Sequence, residues 1–148
     1  MATQLQLRKG TKIQNDTFTG AQGELTFETD TKGLRIHDGA TQGGFEVPVL
    51  VAVQRPTAAN NYTWYRKYSD GWVEQGGIAA AGASSVVFPI EMADTNYCLV
   101  STWRGNNTLH TISSSFSTTG CSLLEGQYQT SGRALTAPAN WQVSGMAA

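Results

Sequence analysis

Tyr62 to Gly77 reads YTWYRKYSDGWVEQGG, and this stretch decides the fold. Ser69-Asp70-Gly71 separates two aromatic-rich polar runs, and Asp-Gly between two such runs is the strongest short-range signal for a β-hairpin. Tyr62, Trp64, Tyr65, Tyr68 and Trp72 carry more aromatic surface than a solvent-facing hairpin needs. Three covers suit it: the core of a β-sandwich, a second copy of the chain, or a sugar stacked on the rings.

Downstream, the chain continues as short strands. Gly76 to Ser85 is mostly glycine and alanine, which predicts a loop or a loosely packed strand. Val86 to Ile90 predicts a strand with an edge or bulge at Pro89, which has no N–H to donate. Met92 to Asn96 reads as a turn, and Tyr97 to Trp103 as the next strand, closed by Arg104-Gly105-Asn106-Asn107. Thr108 to Phe116, Cys121 to Leu124 and Asn140 to Met146 complete the set, and Gln127 to Ala139 reads as loop. Short strands at this spacing, without helical periodicity, predict an antiparallel β-sandwich over residues 62–148.

Upstream, Gln54 to Asn61 has proline, small residues and no periodicity, so residues 55–61 are expected to be a linker. Before it, residues 1–54 form a small module. Residues 4–8 alternate as a strand, and Thr11 to Phe18 has room for one helical turn. In GELTFETDTKGLRIHDG (Gly23 to Gly39), Leu25, Phe27, Leu34 and Ile36 alternate with charged and polar residues around a turn at Asp30 to Gly33. That predicts a hairpin with one apolar and one charged face, the charged face either solvated or fixing register between subunits. So few large apolar side chains cannot close a stable core alone. The economical partner is another copy, with Leu25, Phe27, Leu34, Ile36, Trp64 and Trp141 as the expected interface.

With a net charge of -1 and 14% charged residues, the chain has no basic surplus for nucleic acid. No apolar run is long enough to span a membrane, and MATQLQLRKG lacks a signal peptide's apolar centre. Cys98 and Cys121 have no metal-ligand spacing; neighbouring strands would allow a bridge, but free thiols are expected. His37 and His110 lie in different modules, and no phosphate loop or nucleophile motif occurs, so no catalytic residue, metal or cofactor is expected. Glu28 and Asp30 have the spacing of a carboxylate pair but border an open turn, which predicts a solvated pair.

Binding remains. Aromatic, amide and guanidinium groups recognise glycans, and the candidates are Trp103, Arg104, Asn106, Asn107 and His110. Trp103 has a competing use as a core plug, which would leave Arg104 to pair with Asp94 or Glu91. In a trimer, three copies of His110 around the axis would repel one another when charged. A second loop set holds Gln127, Tyr128, Arg133 and Asn140.

LQLRKGT followed by GELTFETDTKGLRIHDG resembles the small N-terminal module of phage tail-fibre and receptor-binding proteins, shared with phage hyaluronate lyases, over about residues 3–45. The resemblance implies an intertwined homotrimer, attachment to other phage tail proteins, and an assembly role without catalysis. YRKYSDGWVEQGG, VVFPIEMADTNYCLV, TTGCSLL and WQVSGMAA are similar to tail-fibre tips, some of which resemble H-type lectins. Cys121-Ser122 and Glu74-Gln75-Gly76 depart from that pattern. Together the resemblances imply a virion tail protein, assembled in the host cytoplasm, that binds a host-surface glycan or protein receptor. A structural fibre component with no receptor site of its own is the alternative.

Overall fold

The computed structural model describes residues 6–105, 110–126 and 134–148, with only the backbone of residues 110–114 and 125–126. The chain is almost entirely β and forms two compact units: Met1–Val51 with Tyr68–Asp70, and Ala52–Lys67 with Gly71–Ala148.

The first unit holds β1 (Arg8–Gly10), α1 (Lys12–Asp16), β2 (Leu25–Glu28), β3 (Leu34–Ile36) and β4 (Phe45–Val47), the strands forming one sheet in the order β1-β2-β3-β4. β1 pairs with β2 in parallel, and the other pairings are antiparallel. The single helical turn forms because Thr11 caps it reciprocally: its hydroxyl accepts from Gln14 N–H, and Gln14 Oε1 accepts from Thr11 N–H at 2.9 Å.

The orientation of this sheet corrects the sequence expectation. The charged and polar side faces inward: Thr26, Glu28, Arg35 and His37 are 0%, 3%, 3% and 1% exposed. The apolar side faces outward, with Leu25, Ile36 and Phe45 at 39%, 45% and 56%. The inversion is possible because the polar set satisfies itself. Arg35 Nε donates to Glu28 Oε1 at 2.6 Å and Nη1 to Gly43 O at 2.7 Å, while Nη2 reaches Asp16 and, at 3.0 Å, Glu46. A guanidinium with this many matched acceptors can be buried where an unpaired one cannot. Glu28 is therefore not half of a solvated pair with Asp30; Asp30 instead accepts the Lys12 backbone N–H at 2.9 Å.

His37 completes this interior. Its Nδ1 accepts from Gly20 N–H at 3.2 Å, which leaves Nε2 as the protonated nitrogen, 3.1 Å from Thr26 Oγ1. Phe18 meets the ring edge-on, with centroids 5.3 Å apart. Gly44 lies against it at φ +59°, where a Cβ would come within 2.7 Å of His37 Nδ1.

The second unit is a two-layer sandwich. One sheet runs β5-β6-β7-β12-β9, from β5 (Leu50–Gln54), β6 (Trp64–Tyr68), β7 (Trp72–Ala79), β12 (Ala139–Met146) and β9 (Cys98–Trp103). The other runs β10-β11-β8, from β10 (His110–Ser117), β11 (Gly120–Gly126) and β8 (Ser85–Val87). Val73, Val143, Leu123, Phe88 and Trp141 meet in the core, where Phe88 stacks on Trp141 at 5.8 Å. Residues 55–61 are ordered around a 3-10 turn, Ala58–Asn60, capped by Thr57.

Two strand boundaries differ from the sequence reading for local reasons. β7 continues through Gly76-Gly77 to Ala79, because Trp64 and the Trp141 carbonyl crowd the space that a side chain at position 76 would need. β8 ends at Val87: Phe88 N–H bonds to Thr119 O, Pro89 has none, and Ile90 N–H turns to Gln75 Oε1 at 2.9 Å. Gln75 is fully buried and also donates to Ile90 O at 2.8 Å, clasping the 90–92 segment to β7. Cys98 and Cys121 lie in different sheets as free thiols, and burial pushes the Cys121 thiol up to about 11.

Candidate functional site

In the first unit, strand register aligns the apolar residues in two cross-strand rows: Leu25, Ile36 and Phe45, then Phe27, Leu34 and Val47. Leu7 adds a further exposed apolar side chain. The interior is already filled by Arg35 and its partners, and among the described residues Leu25, Ile36 and Phe45 stay exposed while Phe27, Leu34 and Val47 are half-buried.

In the second unit, Trp103 ends β9 with its ring packed against the core, and its buried Nε1 has no partner among the described residues. Arg104 is exposed and makes no ion pair with Asp94 or Glu91. Those carboxylates accept instead from Asn96 N–H at 2.6 Å and Thr118 Oγ1–H at 2.8 Å. Asn106 and Asn107 lie outside the described residues, as do Gln127, Tyr128 and Arg133. The backbone of His110 opens β10 opposite Gly126. Trp141 sits in the core of its own unit and offers almost no surface to a partner.

A groove on the other side of the five-stranded sheet was missed in the sequence. It encloses about 370 Å³ and is lined by Tyr62, Trp64, Ile78, Thr102, Asn140 and Gln142, among others, with no charged residue among the described residues that line it. Register explains its shape. Trp64 and Gln142 both lie opposite Gly76, and the Trp64 indole lies over that glycine, in the space a side chain there would take. Asn140 lies opposite both Ile78 and Thr102, and its Nδ2 donates to Thr102 Oγ1 at 3.1 Å.

The rim beside Tyr62 is strained. Asn61 and Tyr62 have φ of 53° and 56°, a left-handed pair that glycine would adopt freely. Non-glycine residues there cost about 1–3 kcal/mol each and persist only where neighbours hold them. Here Tyr62 N–H bonds to Thr57 O at 2.8 Å and Asn61 Nδ2 to Ile78 O at 2.9 Å. Two clues were present in the sequence: the polar alternation of Asn140, Gln142 and Ser144 with Trp141 and Val143, and the glycine pair opposite them.

Among the described residues no three His, Cys, Asp or Glu side chains gather to hold a metal, and no helix is long and apolar enough to cross a membrane.

Residues 5–41 match the family model described as the Major tropism determinant N-terminal domain. A 45-residue segment, 30% of this chain, is 53% identical to the tail fiber receptor-binding protein of Bordetella phage BPP-1, covering 12% of that protein. Within the first unit, residues 5–41 are similar to that N-terminal domain. Among solved structures, the I1 variant of Major Tropism Determinant shares 34% identity over 43% of this chain and 20% of its own, with a TM-score of 0.28. An N-truncated R1-type pyocin tail fibre shares 17% identity over 64% of this chain and 84% of its own, with a TM-score of 0.44. The matched residues contain α1, β2, β3, and the Arg35–Glu28 pair and His37 of the first unit's polar interior.

Proposed function

We propose that this chain is a non-enzymatic receptor-binding protein of a phage tail, located in the virion. Its tail-fibre module assembles as a homotrimer and joins other tail proteins, and its sandwich contacts a glycan on the host surface. The observation that carries the reading is the match of residues 5–41 to the major tropism determinant module. The outward apolar face supports assembly through Leu25, Phe27, Leu34 and Ile36, because water is a poor final environment for two contiguous apolar rows. Trp141, buried in its own unit, adds little surface to such an interface, and Trp64 remains part of the proposal. Receptor contact at the Trp103, Arg104, Asn106, Asn107 and His110 segment is part of the same proposal.

Sedimentation of the full chain at low micromolar concentration tests assembly, with a threefold mass expected. Ile36→Asp places a carboxylate at a position exposed in the single chain, so the fold is retained while the interface gains a buried, unpaired charge. A folded monomer is expected; a trimer that survives Ile36→Asp and Phe27→Asp alike refutes the placement. Attachment to intact host cells decides between a receptor-binding protein and a structural component.

A further inference from the structure

We infer that the groove between Trp64 and Gln142 on the five-stranded sheet is a binding site for a neutral saccharide. The inference rests on the receptor-binding reading and places the glycan contact on the sheet itself, beyond the loop that follows Trp103.

The chemistry of the lining selects the ligand. A pyranose ring has C–H faces that stack on aromatic carbon and an edge of hydroxyls that donate and accept at once. Trp64 and Tyr62 supply the rings on one wall. Asn140, Gln142 and Thr102 supply the opposite wall, and amides and hydroxyls are the groups that can both donate and accept. The Asn140–Thr102 hydrogen bond orders that wall before any ligand arrives, so less side-chain freedom is lost on binding. The Trp64 indole lies over Gly76, and the lining continues along β7 through Gly77 and Ile78. The volume lies at the lower end of the roughly 300–1,000 Å³ common for ligand pockets, which suits one or two sugar rings.

Charge narrows the class. Among the described residues no lysine, arginine, aspartate or glutamate lines the groove, so a sialylated, sulfated or phosphorylated sugar finds no counter-ion among them. The rim argues for a built site and not a chance hollow. Tyr62 stands there on a left-handed backbone that the Thr57, Asn60 and Ile78 contacts hold in place. A single shallow groove binds weakly, and three copies on one particle add by effective concentration.

The test uses the full chain on an array carrying neutral, sialylated and sulfated glycans, read beside sedimentation mass and thermal melting. Wild-type protein is expected to bind neutral glycans. Trp64→Ala, and separately Asn140→Ala with Gln142→Ala, are expected to weaken binding by about tenfold or more, at unchanged mass. The paired amide variant alters only exposed side chains, so it keeps the test sharp if Trp64→Ala melts early. Equal binding by the groove variants overturns the inference, as does a preference for anionic glycans. A loss of assembly in the amide variant also overturns it, because a second copy would then be the occupant. If no array glycan binds while wild-type protein still attaches to host cells, the groove inference fails and the receptor-binding reading stands. If attachment also fails, both fall.

Discussion

In the first unit the β2–β3 hairpin turns Thr26, Glu28, Arg35 and His37 inward and leaves Leu25 and Ile36 in solvent; in the second, β12 turns Ala139, Trp141 and Val143 inward and leaves Asn140 and Gln142 outside. Both strand sets alternate with a period of two. Alternation therefore marks two faces and is silent on which one is interior. That choice belongs to the partners available. The inward carboxylate Glu28 has Arg35, and the guanidinium in turn has Asp16, Glu46 and the Gly43 carbonyl. The apolar residues of β12 have a second sheet to pack against, whereas those of β2 and β3 have none among the described residues of their own unit.

The contrast breaks most severely at Arg35. Arg35→Leu strands Glu28 as a buried, unpaired charge and is expected to cost about 3–5 kcal/mol, read as lost hydrogen-exchange protection in β2 and β3. Glu28→Leu combined with Arg35→Leu removes the whole pair and should recover much of that loss; a double variant as unstable as the single one would show that the ion pair is not what holds the interior. The second unit has one comparable polar clasp. Gln75→Leu leaves the Ile90 N–H and carbonyl without their side-chain partner, an expected loss of about 1–3 kcal/mol in a denaturant melt. A loss well below the Arg35→Leu value sharpens the comparison, since a neutral clasp in an apolar core should matter less than a charged one in a polar core. The smallest effect is chemical. Iodoacetamide at pH 8 should label exposed Cys98 and spare Cys121, whose thiol is both buried and held protonated up to about pH 11. Labelling of Cys121 in folded protein, read by mass spectrometry, would mean that the apolar interior opens.

Much of the molecule was legible in the chain. The Asp70-Gly71 and Asp30–Gly33 turns placed two hairpins, and the alternation of Trp141 and Val143 marked the inward side of the last strand. Thr11 to Phe18 was read as room for one helical turn, and α1 forms within it. The inverted interior was not legible, because nothing local to Arg35 says that Asp16, Glu46 and Gly43, distant in sequence, converge on it. The groove stayed hidden for the same reason: Tyr62, Thr102 and Asn140 come from three separate stretches, and only register brings them together. Gly76-Gly77 read as either a loop or a loosely packed strand, since propensity sees missing side chains and not the Trp64 indole beside them. Trp103 had two uses in the sequence, and the structure packs its ring against the core.

The position of β12 has a consequence for synthesis. It is the last strand of the second unit to be made, yet it lies in the sheet between β7 and β9, paired along nearly its whole length on both sides. Until the ribosome has delivered residues 139–146, β7 and β9 are not neighbours at all, and each presents an open edge to other nascent chains. The first unit has every strand from β1 to β4 available about ninety residues earlier, which at roughly 5–20 residues per second is a head start of several seconds. Vectorial translation thus lets the first unit form while the sandwich is still an unclosed sheet, and the interval before closure is the one in which a chaperone has most to protect.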